Sequence, residues 1–350
     1  MYICIRIAKT LFMKVNNKVW LMFTLVAVFF VSCSHDKQWR HAGGAVWGTT
    51  YNIVYEGNED LADSIMAVMK KIENAVSIFD KNSNVSLINS GKTDTVSDIF
   101  AEVFIKSRRI SLQSHGAFDP TVAPLVKLWG FGPDKTVSAP DSQMVEWMRE
   151  RVGIADCRID ANRRIVRKHP RTEFDFSAIA KGYGVDCVAD MLRKHGCRNF
   201  MVEIGGELSL SGHNERAERW HVQIDDPVNS GQDCHARLLV ASLTDCALAT
   251  SGNYRNFHTL ADGRRVSHTI SPATGYSAET DLLSVSIVAP KCMVADALAT
   301  ACMAMPLEQA RQFVRGQKGV SALFVVCPQD GAVRLETAGP DVFGVGEKVQ

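Results

Sequence analysis

The sequence predicts an α+β fold, and two observations lead to this class. Runs rich in β-branched and apolar residues, typical of strands, recur along the chain, for example at 199–204, 237–243 and 282–289. Between them lie stretches with apolar residues at helical spacing, for example at 60–79 and 98–114. The composition, with 46% apolar and 22% charged residues, is that of an ordinary globular protein with ample material for a core.

The expected elements follow one another without a visible break. We expect strands at 49–55, 172–176, 199–204, 220–224, 237–243, 282–289 and 320–327. We expect helices at 60–79, 98–114, 178–195, 291–305 and 307–316. No internal repeat, low-complexity segment or linker rich in proline or serine divides the chain. The folded part is therefore expected to be one domain over 45–345.

The amino-terminal segment has the features of a secretory signal. Lys14 and Lys18 precede an apolar run at 19–31. As a helix this run is about 20 Å long, whereas the bilayer core is roughly 30 Å thick, so a membrane-spanning helix is the weaker interpretation. Met13 stands directly before Lys14 and is an alternative start of translation.

Cys33 follows the apolar run, and the FVS before it resembles a bacterial lipobox, whose cysteine is lipidated and becomes the mature amino terminus. We therefore expect 1–32 to be a lipoprotein signal and 33–44 a lipidated tether. The folded part would lie outside the cytoplasm, anchored to a bacterial membrane and facing the periplasm. The alternatives are a simple cleaved signal and a buried segment.

Charge and cysteine content exclude several classes of function. With 39 Lys and Arg against 38 Asp and Glu, the chain lacks the positive excess that gathers nucleic acid, so no nucleic-acid partner is expected. Ten cysteines are present and none forms a CxxC pair, which argues against a zinc or iron–sulfur site. Disulfides stay open, because the sequence does not give their pairing.

The segment DFSAIAKGYGVD at 175–186 reads as a chain entering a helix. Lys181 falls near the start of that helix, where free N–H groups and the helix dipole favour an anion such as phosphate. Gly182 and Gly184 are unfavourable in a helix and indicate that something packs closely against its backbone. The alternative is a solvated Lys181 with Asp175 acting only as a cap.

Two further segments carry groups with chemical potential. Asp296 and Thr300 stand four residues apart, hence on one helix face, and both present oxygen atoms of the kind that Mg²⁺ prefers. His268 lies before a proline and glycine turn among hydroxyl residues, where it can serve as a general base. A capping acid, a core threonine and a structural histidine are the alternatives.

A fourth segment, GAFDPTVAPLVKLWGFGP at 116–133, reads as a loop of glycines, prolines and aromatic residues with one acid, Asp119. It suits a flat aromatic ligand, or equally a rigid structural loop. Common motifs are absent: there is no GxGxxG after a strand, no HExxH and no GxSxG. SLINSGKT at 86–93 approaches a P-loop, but Ser86 stands where the first glycine belongs.

Together these segments resemble the ApbE family of FAD:protein FMN transferases in order and spacing. The matches include DFSAIAKGYGVD, GAFDPTVAPLVKLWGFGP, NFMVEIGGELSLSG at 199–212 and ATSGNYRNFH at 249–258. The likeness runs from GTTY at 48–51 to ADALAT at 295–300 and so covers nearly all of the chain after the signal. It implies an α+β fold related to the tunnelling fold, with FAD in a cleft between two closely joined parts.

The resemblance also implies site residues, position by position. The Mg²⁺ ligands would be the backbone oxygen of Ala178 with Asp296 and Thr300. The FAD contacts would be Trp47, Phe79, Ala117, Phe118, Asp119, Asp175, Lys181 and Ile270. Trp47 and Phe79 stand where the family often has methionine and tyrosine. Ser271 and Ala299 stand where an acid occurs in relatives.

The implied reaction moves the FMN half of FAD onto a threonine hydroxyl of another protein, and AMP departs. His268 would be the base, and Lys181 would steady phosphate charge. The implied acceptors are subunits of membrane redox complexes of the Nqr or Rnf type. Two alternatives stay open: a pyrophosphatase that hydrolyses FAD to FMN and AMP, and a lipoprotein that binds FAD without catalysis.

Overall fold

An eight-stranded sheet forms the centre of the molecule. The computed structural model describes residues 38–131, 140–230, 235–253, 257–260, 265–278, 280–328 and 331–345. Within this part the helices are α1 (Ala62–Val76), α2 (Asn84–Asn89), α3 (Asp98–Gln113), α4 (Ala123–Leu128), α5 (Ser142–Arg149), α6 (Ser177–Lys194), α7 (Cys292–Met303) and α8 (Leu307–Arg315).

The strands complete this part of the chain and confirm the expected α+β class. They are β1 (Gln38–Val46), β2 (Thr49–Gly57), β3 (Arg158–Ile159), β4 (Ile165–Val166), β5 (Phe200–Ile204), β6 (Glu207–Ser211), β7 (Trp220–Asp225), β8 (Arg237–Leu243), β9 (Cys246–Gly252), β10 (Phe257–Thr259), β11 (Arg265–Ser267), β12 (Leu282–Ala289), β13 (Ser321–Val326) and β14 (Arg334–Ala338).

The strand order in the sheet is β1-β2-β5-β6-β9-β12-β13-β14. From β2 to β14 the neighbouring strands pair antiparallel. The pairs β3–β4, β7–β8 and β10–β11 form separate two-stranded units. Because β6, β9 and β12 are consecutive, the residues that begin β6 and end β9 lie near the middle of the sheet.

Side chains alternate across the sheet and separate two layers of core. On one face the helices cover residues such as Val285 and Ile287, and on the other the β7–β8 hairpin covers residues such as Val288. A smaller apolar cluster joins α4 and α5 to the segment around β11 and contains Leu125, Trp129, Val145, Val152, Leu260, Val266 and Ile270. The helix face of the sheet therefore carries α6 and α7, which hold the site.

The strand expected at 172–176 is wrong. This segment belongs to no strand, because the Phe174 backbone bonds to a side chain instead. The side chain of Asn89 accepts from the Phe174 N–H and donates to the Phe174 carbonyl, both at 2.8 Å. Phe174 and Phe176 are fully buried, which explains the alternating pattern that suggested a strand.

The boundary between tether and domain also differs from the expectation. The tether was expected over 33–44, but β1 begins at Gln38 and lies beside β2. A Cβ on Gly44 would come within 3.1 Å of the Tyr51 ring, so glycine permits close packing of β1 against β2. The signal at 1–32 and Cys33 lie outside the described residues.

The described cysteines carry free thiols. They are Cys157, Cys187, Cys197, Cys246, Cys292, Cys302 and Cys327. Among the residues described, none of the helices is long and apolar enough to cross a bilayer.

Candidate functional site

Two glycines let α6 approach its neighbours closely. A Cβ on Gly182 would lie 2.5 Å from the backbone oxygen of Cys292, and one on Gly184 would lie 2.4 Å from the Trp47 ring. Such distances exclude any larger residue without movement of α7 or of the indole. The sequence prediction that something packs against these glycines is thus correct, and the neighbours are α7 and Trp47.

The close approach of α6 and α7 brings oxygen atoms together. The Gly182 N–H donates to Oδ2 of buried Asp296 at 3.0 Å. Ala178 lies one turn earlier in α6, so its carbonyl oxygen points toward the same N–H group. Thr300 lies one turn beyond Asp296, and its Oγ1 is 3.2 Å from Oγ of Ser251. Of the three residues expected to hold a metal, Ala178 and Asp296 thus lie where α6 meets α7, and Thr300 presents a hydroxyl one turn further along α7.

Lys181 is held by a residue that the sequence analysis missed. Its ammonium group forms an ion pair with Oε1 of Glu207, the first residue of β6. The Lys181 side chain is 35% exposed, whereas that of Glu207 is only 4% exposed. Oε2 of Glu207 is buried and meets no hydrogen-bond partner within the described structure. The sequence did contain a signal for Glu207, because an acidic residue at the start of a strand of mostly buried residues is unusual.

Burial and charge act against each other in this cluster. Burial raises the pKa of Asp296 and of Glu207, and the nearby Lys181 ammonium opposes both shifts. Burial alone would lower the pKa of Lys181, but the Glu207 and Asp296 carboxylates raise it above its ordinary value. Asp296 and Glu207 thus both lie close enough to the one Lys181 ammonium group to interact with its charge. Within the described ranges no group of three or more His, Cys, Asp or Glu could hold a metal, so backbone and hydroxyl oxygens would complete a shell.

Two separate polar contacts at the end of β9 bring the loop of His268 near this cluster. Thr269, the next residue, donates from Oγ1 to Oδ1 of Asn253 at 2.7 Å. Asn253 follows β9 two residues after Ser251, which contacts Thr300. The His268 ring stands edge-on to Phe131, with centroids 6.3 Å apart. The loop that carries His268 therefore lies beside the end of β9, next to the oxygen donors of α7.

Ile270 is buried among the apolar residues of α4 and α5, so its side chain belongs to that core. The same loop is fixed to α4 by the Trp129 indole, which donates to the Gly275 carbonyl at 2.8 Å. A ligand contact at Ile270 is thus left to its backbone.

The loop 117–121 is directed mainly into the protein. Oδ1 of Asp119 accepts from the Thr121 N–H at 2.8 Å and from its hydroxyl at 2.6 Å, and Oδ2 accepts from the Ile154 N–H at 3.0 Å. Burial raises the pKa of Asp119, although these hydrogen bonds oppose the shift. The Phe118 ring is also buried, while Ala117 is half-buried. The side chains of Phe118 and Asp119 therefore shape the loop, and ligand contacts are left to its backbone.

Asp175 lies next to this loop at the entrance to α6. Its N–H donates to the Pro120 carbonyl at 2.7 Å. Its Oδ1 accepts from the Ser177 N–H at 2.9 Å, which fixes the first turn of the helix. The predicted contacts at 117–119 and at Asp175 are thus neighbours in space.

Trp47 and Phe79 have different surroundings. Trp47 and Gly48 both have positive φ, 51° and 75°, and form the tight turn between β1 and β2. The Trp47 indole packs against Gly184, and its buried Nε1 lacks a partner among the described residues. Phe79 follows α1 and is 76% exposed, so its ring is accessible to a ligand.

A cleft of ≈ 710 Å³ lies on the opposite face of α6, lined by residues such as Lys106, Tyr183 and Met293. None of the predicted site residues lines it. It is therefore distinct from the cluster around Lys181 and Asp296.

Comparison with known proteins finds consistent likenesses. The model of the ApbE family matches residues 47–324. An FAD:protein FMN transferase of Vibrio cholerae is 34% identical over 89% of this chain and 95% of its own length, and one of Haemophilus influenzae is 32% identical over 87% and 91%. The fold is similar to flavin transferase ApbE from Vibrio cholerae, with a TM-score of 0.77, 34% identity and coverage of 87% of this chain and 98% of that one. The apo flavinyl transferase ApbE of Pseudomonas stutzeri gives a TM-score of 0.78 at 29% identity, with coverage of 89% and 98%.

Proposed function

The chain belongs to the ApbE family, and from this premise we infer that it is an FAD:protein FMN transferase. It transfers FMN from FAD to acceptor flavoproteins. The observation that carries this conclusion is 34% identity across 95% of the length of a protein with that name. The cluster of oxygen donors and one lysine, built from the contact of α6 with α7, supports it from the structure.

The attacking group is proposed to be a threonine hydroxyl of the acceptor. Its oxygen forms a new bond to the FMN phosphorus, and the bond from that phosphorus to the bridging oxygen of the diphosphate breaks. AMP leaves with the bridging oxygen. A hydroxyl is a weak nucleophile, so a base must take its proton.

His268 is proposed as that base. One of its ring nitrogens accepts the hydroxyl proton as the oxygen approaches phosphorus. The polar contacts from Thr269 through Asn253 to β9 support this role, because they hold its loop beside the donors of α7. Lys181, whose charge acts on Asp296, stabilises charge on the phosphate oxygens.

Mg²⁺ is proposed as the cation of the site, held by the Ala178 carbonyl, Asp296 and Thr300. When bound there, it would neutralise charge on the diphosphate and favour departure of AMP. The carboxyl group of Asp296, buried where α6 meets α7, supports this assignment. The donor atoms are oxygens, which suit a hard cation, and solvent and substrate phosphate would complete an octahedral shell.

The cellular setting is proposed from the amino-terminal pattern. A lipid on Cys33 would anchor the protein outside the cytoplasm, on the periplasmic side of a bacterial membrane. Subunits of Nqr or Rnf type redox complexes would then be acceptors within reach of the tether. The apolar run at 19–31 and the FVS before Cys33 support this setting.

One incubation tests the reaction. The protein from residue 38 onward is mixed with FAD, MgCl₂ and a threonine-containing acceptor domain, and the intact mass of the acceptor is measured. A covalent FMN mass is expected, and it should vanish when valine replaces the acceptor threonine or when EDTA removes the metal. Free FMN and AMP without labelled acceptor would indicate a pyrophosphatase instead, and unchanged FAD would indicate binding alone.

A further inference from the structure

The carboxylate of Glu207 is buried at the junction of β6 and α6. One oxygen bonds the Lys181 ammonium group, and the other meets no donor within the described structure. A buried carboxylate with an unused oxygen is unfavourable compared with an apolar residue of similar size. Its presence at this position therefore calls for a role other than stability.

The geometry around Lys181 indicates that role. An ammonium group has three donors, and Glu207 occupies one of them. The Lys181 side chain is 35% exposed, whereas Glu207, which holds the ammonium group from inside, is only 4% exposed. Lys181 and Ala178 lie three residues apart on α6, hence on the face that meets Asp296.

We propose that Glu207 is a positioning residue of the transfer site. It holds the Lys181 ammonium group beside Asp296 before FAD binds, so that this group is already in place for the diphosphate of FAD. This inference rests on the proposed function for the identity of the ligand. A lysine has a long flexible side chain, and holding it before the substrate arrives removes the cost of ordering it on binding. Glu207 acts through Lys181 and does not itself touch FAD.

A matched control lies across the same turn. Glu203, on β5, accepts the Gly206 N–H at 2.7 Å, and its partner across the strands is Leu208, next to Glu207. Glu203→Gln removes a carboxylate from the same hairpin that interacts with the Lys181 charge from a distance but forms no ion pair with it. It should leave FAD affinity and turnover within about twofold of the wild type.

A double-mutant cycle tests the inference. FAD affinity is measured by quenching of flavin fluorescence, and KM and kcat by mass spectrometry of the acceptor, for the wild type, Glu207→Gln, Lys181→Met and both changes together. Glu207→Gln should raise Kd and KM for FAD about tenfold, with a smaller change in kcat. In the Lys181→Met background the same change should alter Kd by less than about twofold, because the group it positions is gone.

An equal loss in both backgrounds would overturn the inference, as would a Glu207→Gln variant with the affinity of the wild type. Thermal unfolding of every variant separates loss of fold from loss of binding. If Glu207→Gln does not fold, a double variant that combines Lys181→Met with Glu207→Met takes its place in the cycle. This double variant contains no buried unpaired charge. That pair should bind FAD as Lys181→Met does, and weaker binding would contradict the proposal. A wild type that binds FAD with this coupling but transfers no FMN would contradict the proposed function alone.

Discussion

At the scale of single residues, the site depends on groups that would be unfavourable elsewhere. A buried carboxylate oxygen without a donor costs on the order of 1–3 kcal/mol. Glu207 has such an oxygen, and burial raises the pKa of both Glu207 and Asp296. Buried acids with raised pKa values are candidates for function, and these two lie near the contact of α6 with α7.

Asp296→Ala should abolish transfer. It removes the one side-chain carboxylate among the proposed metal ligands, so we expect activity to fall by at least about 100-fold, as measured by acceptor mass at saturating MgCl₂. Folding should survive, because Lys181 and Glu207 then balance each other. Asp190→Ala is the control: its carboxylate is half-exposed and pairs with Arg193 and Lys291 at the surface, so activity should be unchanged. Normal turnover in Asp296→Ala would contradict the metal assignment.

Asp119 should make stability depend on pH. Burial raises its pKa above the ordinary 3.8, so the folded state keeps the proton at pH values where the unfolded state has lost it. Stability contributed by this group is therefore lost as pH rises from 3.8 to the raised value. As pH rises through this window, we expect the urea midpoint of the wild type to fall relative to that of Asp119→Asn. Below and above the window, the difference between the two midpoints should stay constant. A difference independent of pH would disprove the assignment.

At the scale of elements, the contact between α6 and α7 decides the geometry of the site. It depends on Gly182, whose neighbour is the Cys292 backbone, and α6 also depends on Gly184, whose neighbour is the movable Trp47 side chain. A larger residue at Gly182 would therefore have to displace backbone, whereas one at Gly184 would have to displace only a side chain.

Gly182→Ala should be more damaging than Gly184→Ala. A methyl group at Gly182 must push α7 away, so we expect a loss of about 1–3 kcal/mol in unfolding free energy together with loss of transfer. Gly184→Ala should be partly relieved in a Trp47→Phe background, since the smaller ring vacates the space. Gly182→Ala should gain nothing from that change. Urea unfolding of the four variants measures both effects, and relief of both glycine variants by Trp47→Phe would contradict this account.

Most of the long periodic elements could be predicted from sequence, but the long strands β1 and β9 and the short elements could not. Helices at 98–114 and 178–195 and strands at 237–243 and 282–289 agree with the structure within a residue or two at each end. The two-residue strands β3 and β4 and the short α2 and α4 were missed, because so few residues show no period. The strand expected at 172–176 was wrong. Buried Phe174 and Phe176 give the alternating pattern of a strand, but the Phe174 backbone bonds to the side chain of Asn89 and not to a neighbouring strand.

The site was predictable only in part, for related reasons. Asp296 and Thr300 were identified because helical spacing fixes which residues share a face. Glu207 was missed because its pairing with Lys181 joins residues 26 positions apart, and no local pattern reports such a contact. Asp119 was expected to contact a nucleotide, but sequence does not show that its oxygens are used by Thr121 and Ile154.

At the scale of the whole molecule, the candidate site lies beside one large sheet, and the proposed cellular position depends on the segment before it. Cys33→Ala should move the full-length protein from the membrane to the soluble fraction, because a peptide without lipid has no stable anchor. His35→Ala, also in the tether, should leave it in the membrane fraction. Fractionation followed by immunoblotting measures the outcome, and a membrane-bound Cys33→Ala protein would contradict lipidation at this residue.

The free thiols of the described fold have a consequence for its redox chemistry. Burial raises the pKa of Cys302 to about 12, and it raises the pKa of Cys187 and of Cys246 to about 11. Only the thiolate attacks oxidants or disulfides, so at neutral pH these side chains are almost inert. The folded domain should therefore protect these three thiols from oxidants. Their chemistry would then be the same in a reducing compartment and in an oxidising one.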